Sequence, residues 1–222
     1  MVEKIWSANL VTIVSNEYYG LENSAIGGLK QARDSKTQAL YALRGKIRNV
    51  EKVDIATVFQ NQEVKDIIQL LGCGINEDYD ESKLKYNKVI IATDEDCDGS
   101  HIRLLLLTFF YRFMPQLVSN GHVYCTVGPL FKISHGDKHV YVKTVEEKDK
   151  YVKSIKGAYM ISRYKGLGEM NPKDLSETMV NAKTRTLLQY TIDDESEVNE
   201  TFIKLMGVDT APRKQLLETG VF

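Results

Sequence analysis

The chain has 222 residues, 43% of them hydrophobic, and a formal net charge of −1. That suffices for one large domain or two small ones with a buried core. The balanced charge excludes a uniformly basic nucleic-acid coat and an acidic solvating tail, so partners must be read from local charge.

The opening MVEKIWSANLVTIV has an apolar stretch interrupted by Ser7 and Asn9, with no small-residue cleavage site after it, so it is not read as a signal peptide. LVTIV (10–14) predicts a buried strand. SAIGGLKQARDSKTQAL (24–40) predicts a helix entered through a glycine-rich turn, and YALRGKIRNVEK (41–52) a short strand and loop. TVFQNQEVKDIIQLLG (57–72) has apolar residues at helical spacing, with Gly72 as its stop. KVIIAT (88–93) is a β-branched run and predicts a second buried strand. A long helix from about His101 to Val118 follows, ended by Asn120-Gly121, and HVYCTV (122–127) is a third strand. The most apolar segment, 102–118, contains Arg103, Arg112 and Pro115 and never reaches the roughly 20 apolar residues of a membrane span. Strand and helix thus alternate over residues 1–128, which predicts a mostly parallel sheet with helices on both faces.

After Gly128-Pro129 the pattern changes, and residues 129–222 are expected to form a smaller α+β tail. LFKIS and KHVYVKT flank His135-Gly136-Asp137 as a hairpin, and VEEKDKYVKSI predicts an exposed helix. Residues 160–179 predict a strand, a glycine-rich turn and a helix begun by Asn171-Pro172. A polar stretch, 193–200, leads into a last helix. The cysteines, Cys73, Cys97 and Cys125, are odd in number and share no short spacing. That argues against a disulfide framework or a zinc site and suits a reducing cytosol.

The chemistry concentrates in IIATDEDCDGSHI (90–102). Ligands of open α/β sheets bind beyond the carboxyl ends of the strands, and Asp94 follows the KVIIAT strand at that end. In extended chain, residues two apart share a face, so Asp94, Asp96 and Asp98 can converge. Clustered carboxylates repel unless a cation sits among them, and hard oxygen ligands suit Mg²⁺. A solvated acidic turn is the plainer alternative, disfavoured by the buried strand that feeds the triplet. An EF-hand loop would need Glu at its twelfth position, where Leu105 stands, and a helix before it.

TDEDCDGSHIRLLLLTFFYRFMPQL resembles the Asp-rich motif of the Toprim domain in type IIA DNA topoisomerases. ALRGKIRNVEK (42–52), with Ala42 where the family has Pro, and RYKGLGEMNPKDLSETM (163–179) resemble two further motifs of the B-type subunits. LMG…PRK (205–214) is similar to the family's carboxyl-terminal end. The resemblance implies a Rossmann-like Toprim fold with Mg²⁺ held by Asp94, Asp96 and Asp98. It also implies a double-stranded DNA substrate, and a tyrosine-bearing A-type partner subunit that completes the cleavage and religation site. ATP hydrolysis would belong to a domain on a separate chain or missing from this one. The bacterial cytoplasm is the implied location, including that of an infected host, because a split phage subunit fits the departures somewhat better than an excised fragment. The family also needs a glutamate in EGDSAGG, where this chain reads NEYYGLENSAIGG. Glu22 is favoured for that role at the expense of one deletion, with Glu17 second. Loss of the glutamate and of the chemistry is the competing outcome. Lys30, Arg33, Arg44, Lys46 and Lys165 are the expected DNA contacts, and Gly166 and Gly168 would let backbone approach closely. A stand-alone Toprim nuclease and a non-catalytic DNA-binding or assembly module remain the alternatives.

Overall fold

A computed structural model describes residues 10–15 and 25–220. Among these residues, eight strands form two sheets. β1 (Leu10–Ser15), β2 (Gln38–Leu43), β3 (Lys88–Ala92) and β4 (Val123–Thr126) run parallel in the order β2-β1-β3-β4. β5 (Phe131–His135), β6 (Lys138–Val142) and β7 (Met160–Arg163) make a small antiparallel sheet, with β5 in the middle. The last strand, β8 (Leu187–Gln189), returns to the main sheet and pairs antiparallel with β4.

The apolar runs of β1 and β3 are continuous because both faces of the sheet are covered. On one face, Val11, Ile13, Val89 and Ile91 pack under α3 (Gln62–Leu71), α4 (Cys97–Phe113) and α5 (Pro115–Ser119). Phe109 and Phe110 of α4 are fully buried there. On the other face, Val14 and Ala92 meet α1 (Ala25–Ala32) together with Tyr164, Leu167, Met170 and Leu175. The expected class therefore holds: a mostly parallel α/β sheet with helices on both faces, joined by a smaller α+β part. No helix among the described residues is long and apolar enough to cross a membrane.

Several boundaries differ from expectation, each through a local polar contact. The predicted helix 24–40 stops at Ala32. The Asp34 carboxylate accepts the Lys36 N–H and the Thr37 hydroxyl, each at 3.0 Å, which closes a turn and frees Gln38 to pair beside Leu10. The predicted helix 57–72 is divided into α2 (Ile55–Val58) and α3, because Asn61 caps α3 by accepting the Val64 N–H at 3.1 Å. Gly72 ends α3 at φ +74°, as expected. The long helix begins at Cys97, four residues early, and stops at Phe113 ahead of Pro115. The exposed helix α6 (Val145–Ser154) and the short α7 (Pro172–Leu175) fall where predicted, and a π-helical turn, Ser176–Val180, extends α7. The acidic stretch after residue 193 is itself helical. Asp194 caps α8 (Glu195–Met206), and α9 (Ala211–Thr219) follows.

One buried carboxylate holds the smaller sheet to α7. Asp174, 3% exposed, accepts from Lys132 Nζ at 2.7 Å, the Tyr141 hydroxyl at 2.9 Å and the Tyr164 hydroxyl at 2.6 Å. Burial pushes its pKa up, but the Lys132 ammonium and the two hydroxyls outweigh burial and hold it below the usual carboxylate range. A depressed folded-state pKa gives stability that is present above the unfolded value of about 3.9 and lost as pH falls through the folded one. Asp174→Asn should therefore lower the unfolding free energy at neutral pH by about 1.5–3 kcal/mol. The difference should shrink below the ordinary aspartate range, as read by urea unfolding across a pH series.

Candidate functional site

The parallel register brings three strand ends to one edge of the main sheet. Ser15 lies beside Leu43, and Val14 beside Ala92. Beyond that line β2 continues as Arg44-Gly45-Lys46, and β3 continues as Thr93-Asp94. The segment that leaves β1, including Glu17 and Glu22, lies outside the described residues.

Asp94 is half-buried, and its Oδ1 accepts the Leu167 N–H at 2.7 Å. Burial raises its pKa, the Leu167 N–H opposes that rise, and the charges of Asp96 and Glu169 add to it. Two other carboxylates are thus close enough for Asp94 to feel. Asp96 is the N-cap of α4, and its Oδ1 accepts the Gly99 N–H at 2.7 Å. Glu95, between them, is taken up by Arg103, with Nη2 at 3.6 Å, and the same guanidinium donates to the Thr93 hydroxyl at 3.2 Å. Arg103 thus pairs with the middle acid of the run, while the Asp96 charge acts on Asp94.

Asp98 departs from the extended alternation. The cap at Asp96 starts the helix one residue later, so Asp98 sits exposed in the first turn of α4, hydrogen-bonded and ion-paired with Lys46. The Lys46 hydrogen bond and charge hold its carboxyl below the usual range, with His101 adding to the effect. This pair ties the RGK loop after β2 to the acidic loop after β3. Among the described residues, no three His, Cys, Asp or Glu side chains come close enough to hold a metal ion.

The basic candidates are placed unequally. Lys30, Arg44 and Lys165 are exposed. Arg33 donates to the Gln38 carbonyl across the α1–β2 turn. Lys165 gives its backbone N–H to Glu169 Oε2 at 2.8 Å, which closes the glycine-rich turn 165–169. The backbone at Gly166, expected to approach a phosphate, lies close to the Asp94 carboxylate of the same chain. Sequence reasoning passed over Gly99, Arg103 and the Leu167 N–H. Gly99 carried a signal, since it stands in a recognised motif, but a backbone donor leaves no mark in a sequence.

Comparison with known proteins adds the family. A Toprim domain model matches residues 22–127, and a model described as the DNA gyrase B subunit, carboxyl terminus, matches residues 156–218. The DNA gyrase B subunit of Thermotoga maritima is 46% identical over 197 residues, covering 88% of this chain and 31% of that protein. Its counterpart in Treponema denticola is 44% identical over 218 residues, 97% of this chain and 34% of the relative. The Archaeoglobus fulgidus counterpart is 45% identical over 194 residues, 87% of this chain and 30% of the relative. The chain spans about a third of the length of these curated relatives.

A methyl group added at Gly99 would lie 2.1 Å from the Asp94 carbonyl oxygen, so backbone must move to admit it. Gly99→Ala should destabilise the chain by about 1–3 kcal/mol, the range for overpacking. Gly45→Ala, with nothing within 4 Å of the added methyl, should stay within about 0.5 kcal/mol. Urea unfolding of the two variants checks both.

Proposed function

The chain belongs to the DNA gyrase B family, of which it holds the Toprim domain and the carboxyl-terminal segment, and on that premise we propose that it forms the metal-binding part of a type IIA topoisomerase cleavage site. The observation that carries this reading is the pair Asp94 and Asp96 beyond a parallel strand, where the Asp96 charge bears on the half-buried Asp94, with Lys46 at the same edge. Such an arrangement of oxygen donors fits a hard divalent cation, which removes the repulsion that the bare pair suffers. Asp94 and Asp96 would hold Mg²⁺ together with the family glutamate, for which Glu22 stands first and Glu17 second. Asp98 would join them only by giving up Lys46. When bound, the ion supplies charge stabilisation to the attacking and leaving oxygens of a phosphodiester exchange.

The remaining roles fall to this chain's own side chains. Arg44, Lys46, Lys30 and Lys165 would meet phosphates of duplex DNA, and Arg33 would do so after releasing its own turn. Phosphate contacts position the duplex and carry no sequence information, so specificity should be low. The nucleophilic tyrosine would come from an A-type partner subunit. Strand passage would need ATP hydrolysed by a domain outside this chain. The bacterial cytoplasm, where DNA and such partners occur, is the compartment this reading implies.

The test mixes the chain with its tyrosine-bearing partner and supercoiled plasmid in Mg²⁺. Protein-linked breaks should form, and should fall by at least about a hundredfold in the Asp94→Ala, Asp96→Ala double variant, the order seen when a charge-stabilising group is lost. Circular dichroism should show the fold retained. Glu22→Ala and Glu17→Ala, run alongside, identify the glutamate. Cleavage without the partner would turn the assignment to a nuclease, and cleavage retained in the double variant would remove Asp94 and Asp96 from the chemistry.

A further inference from the structure

We propose that Gly166 and the backbone N–H of Leu167 are positioning elements for Asp94, so that a turn of the carboxyl-terminal segment sets the geometry of the cation site at the end of β3. The inference rests on the assignment of Asp94 as a cation ligand and adds to it the part of the chain that aims the ligand.

Three observations support it. The hydrogen bond to the Asp94 carboxylate comes from Leu167, 73 residues away in sequence, at 2.7 Å. Within the Asp-rich loop, Gly99 comes close to the Asp94 backbone, and the hydrogen bond to the Asp94 carboxylate comes from outside that loop. Next, Gly166 has φ −155° and ψ 169°, an extended conformation open to any residue. Its backbone therefore does not require glycine, but the space beside it does. An added methyl would lie 2.9 Å from Asp94 Cγ and 3.0 Å from each carboxylate oxygen. A side chain at residue 166 would crowd that carboxylate, and one of the two must shift.

Third, the turn is held firmly enough to act as a template. Tyr164 and Leu167 are buried against α1 and the sheet, and the Tyr164 N–H donates to the Leu130 carbonyl at 2.9 Å. The Tyr164 hydroxyl is anchored on Asp174. Glu169 closes the loop twice: its carboxylate takes the Lys165 N–H, and its own N–H donates to the Gly166 carbonyl at 3.1 Å. A carboxylate ligand held through one oxygen by a rigid donor presents the other in a fixed direction, and loss of such outer contacts typically lowers metal affinity by roughly 10–100-fold.

The test measures binding rather than turnover. Mn²⁺ is titrated into the purified chain without DNA or partner, and free Mn²⁺ is read by electron paramagnetic resonance. Four variants are compared: Asp94→Ala, Gly166→Ala, Gly128→Ala, and a chain in which the amide between residues 166 and 167 is replaced by an ester, which deletes the donor and keeps the leucine side chain. Gly128 is the matched control, because its added methyl would meet only Met179 Sδ at 4.0 Å. Gly166→Ala and the ester should each weaken Mn²⁺ binding about tenfold or more. Gly128→Ala should bind like the parent, and melting temperatures should stay close together. If Asp94→Ala loses the ion while both Gly166→Ala and the ester keep it, the positioning role is wrong and the cation assignment stands. If Asp94→Ala binds like the parent, or the parent binds nothing, both fall. Should Gly166→Ala not fold, the ester alone decides between these outcomes.

Discussion

The register of three parallel strands is the constraint from which the rest follows. β1 sits between β2 and β3, and all three end on one line. Whatever the sequence writes after each strand is therefore delivered to the same edge. After β2 it writes a basic loop, and after β3 an acidic one. Neither loop would have chemical meaning alone, since exposed lysines and exposed aspartates are ordinary surface. Held side by side they form an ion pair, Lys46 with Asp98, next to two carboxylates, Asp94 and Asp96, that make no ion pair among the described residues. Side chains on both faces are close-packed against the covering elements, so a one-residue shift would undo the packing of both layers at once.

Much of this was legible. The β-branched runs of β1 and β3 stand out against their flanks, and Gly72, Asn171-Pro172 and the His135–Asp137 turn mark ends that the structure keeps. The misplaced boundaries share one cause. Asp34, Asn61, Asp96 and Asp194 each bind a nearby backbone N–H, and each either starts a helix or closes a turn at its end. Periodicity of apolar residues carries the middle of a helix well and its ends poorly, since caps are polar and local. β8 escaped notice because three residues, LLQ, two of them exposed, carry no alternation long enough to read.

The site divides in the same way. The acidic pair followed from strand position and charge, and the basic loop from a recognised motif. Asp98 leaves the expected alternation because alternation assumes extended chain, and the cap at Asp96 converts the next residues to helix. Glu95 reads as equivalent to its neighbours in the sequence, whereas Arg103, two turns into α4, pairs with it in the fold. Contacts made by backbone atoms or by residues distant in sequence require the fold.

The closing of the sheet by late parts of the chain bears on the order of assembly. Residues 164–180 cover one face of the main sheet, and β8 seals the edge of β4. A ribosome releasing the first four strands would present an apolar face and an unpaired strand edge before either cover had been made. Long-range closure of that kind slows folding, and exposed edges recruit other chains while they wait. Until residues 164–189 emerge, that face and that edge lack the cover they have in the finished fold.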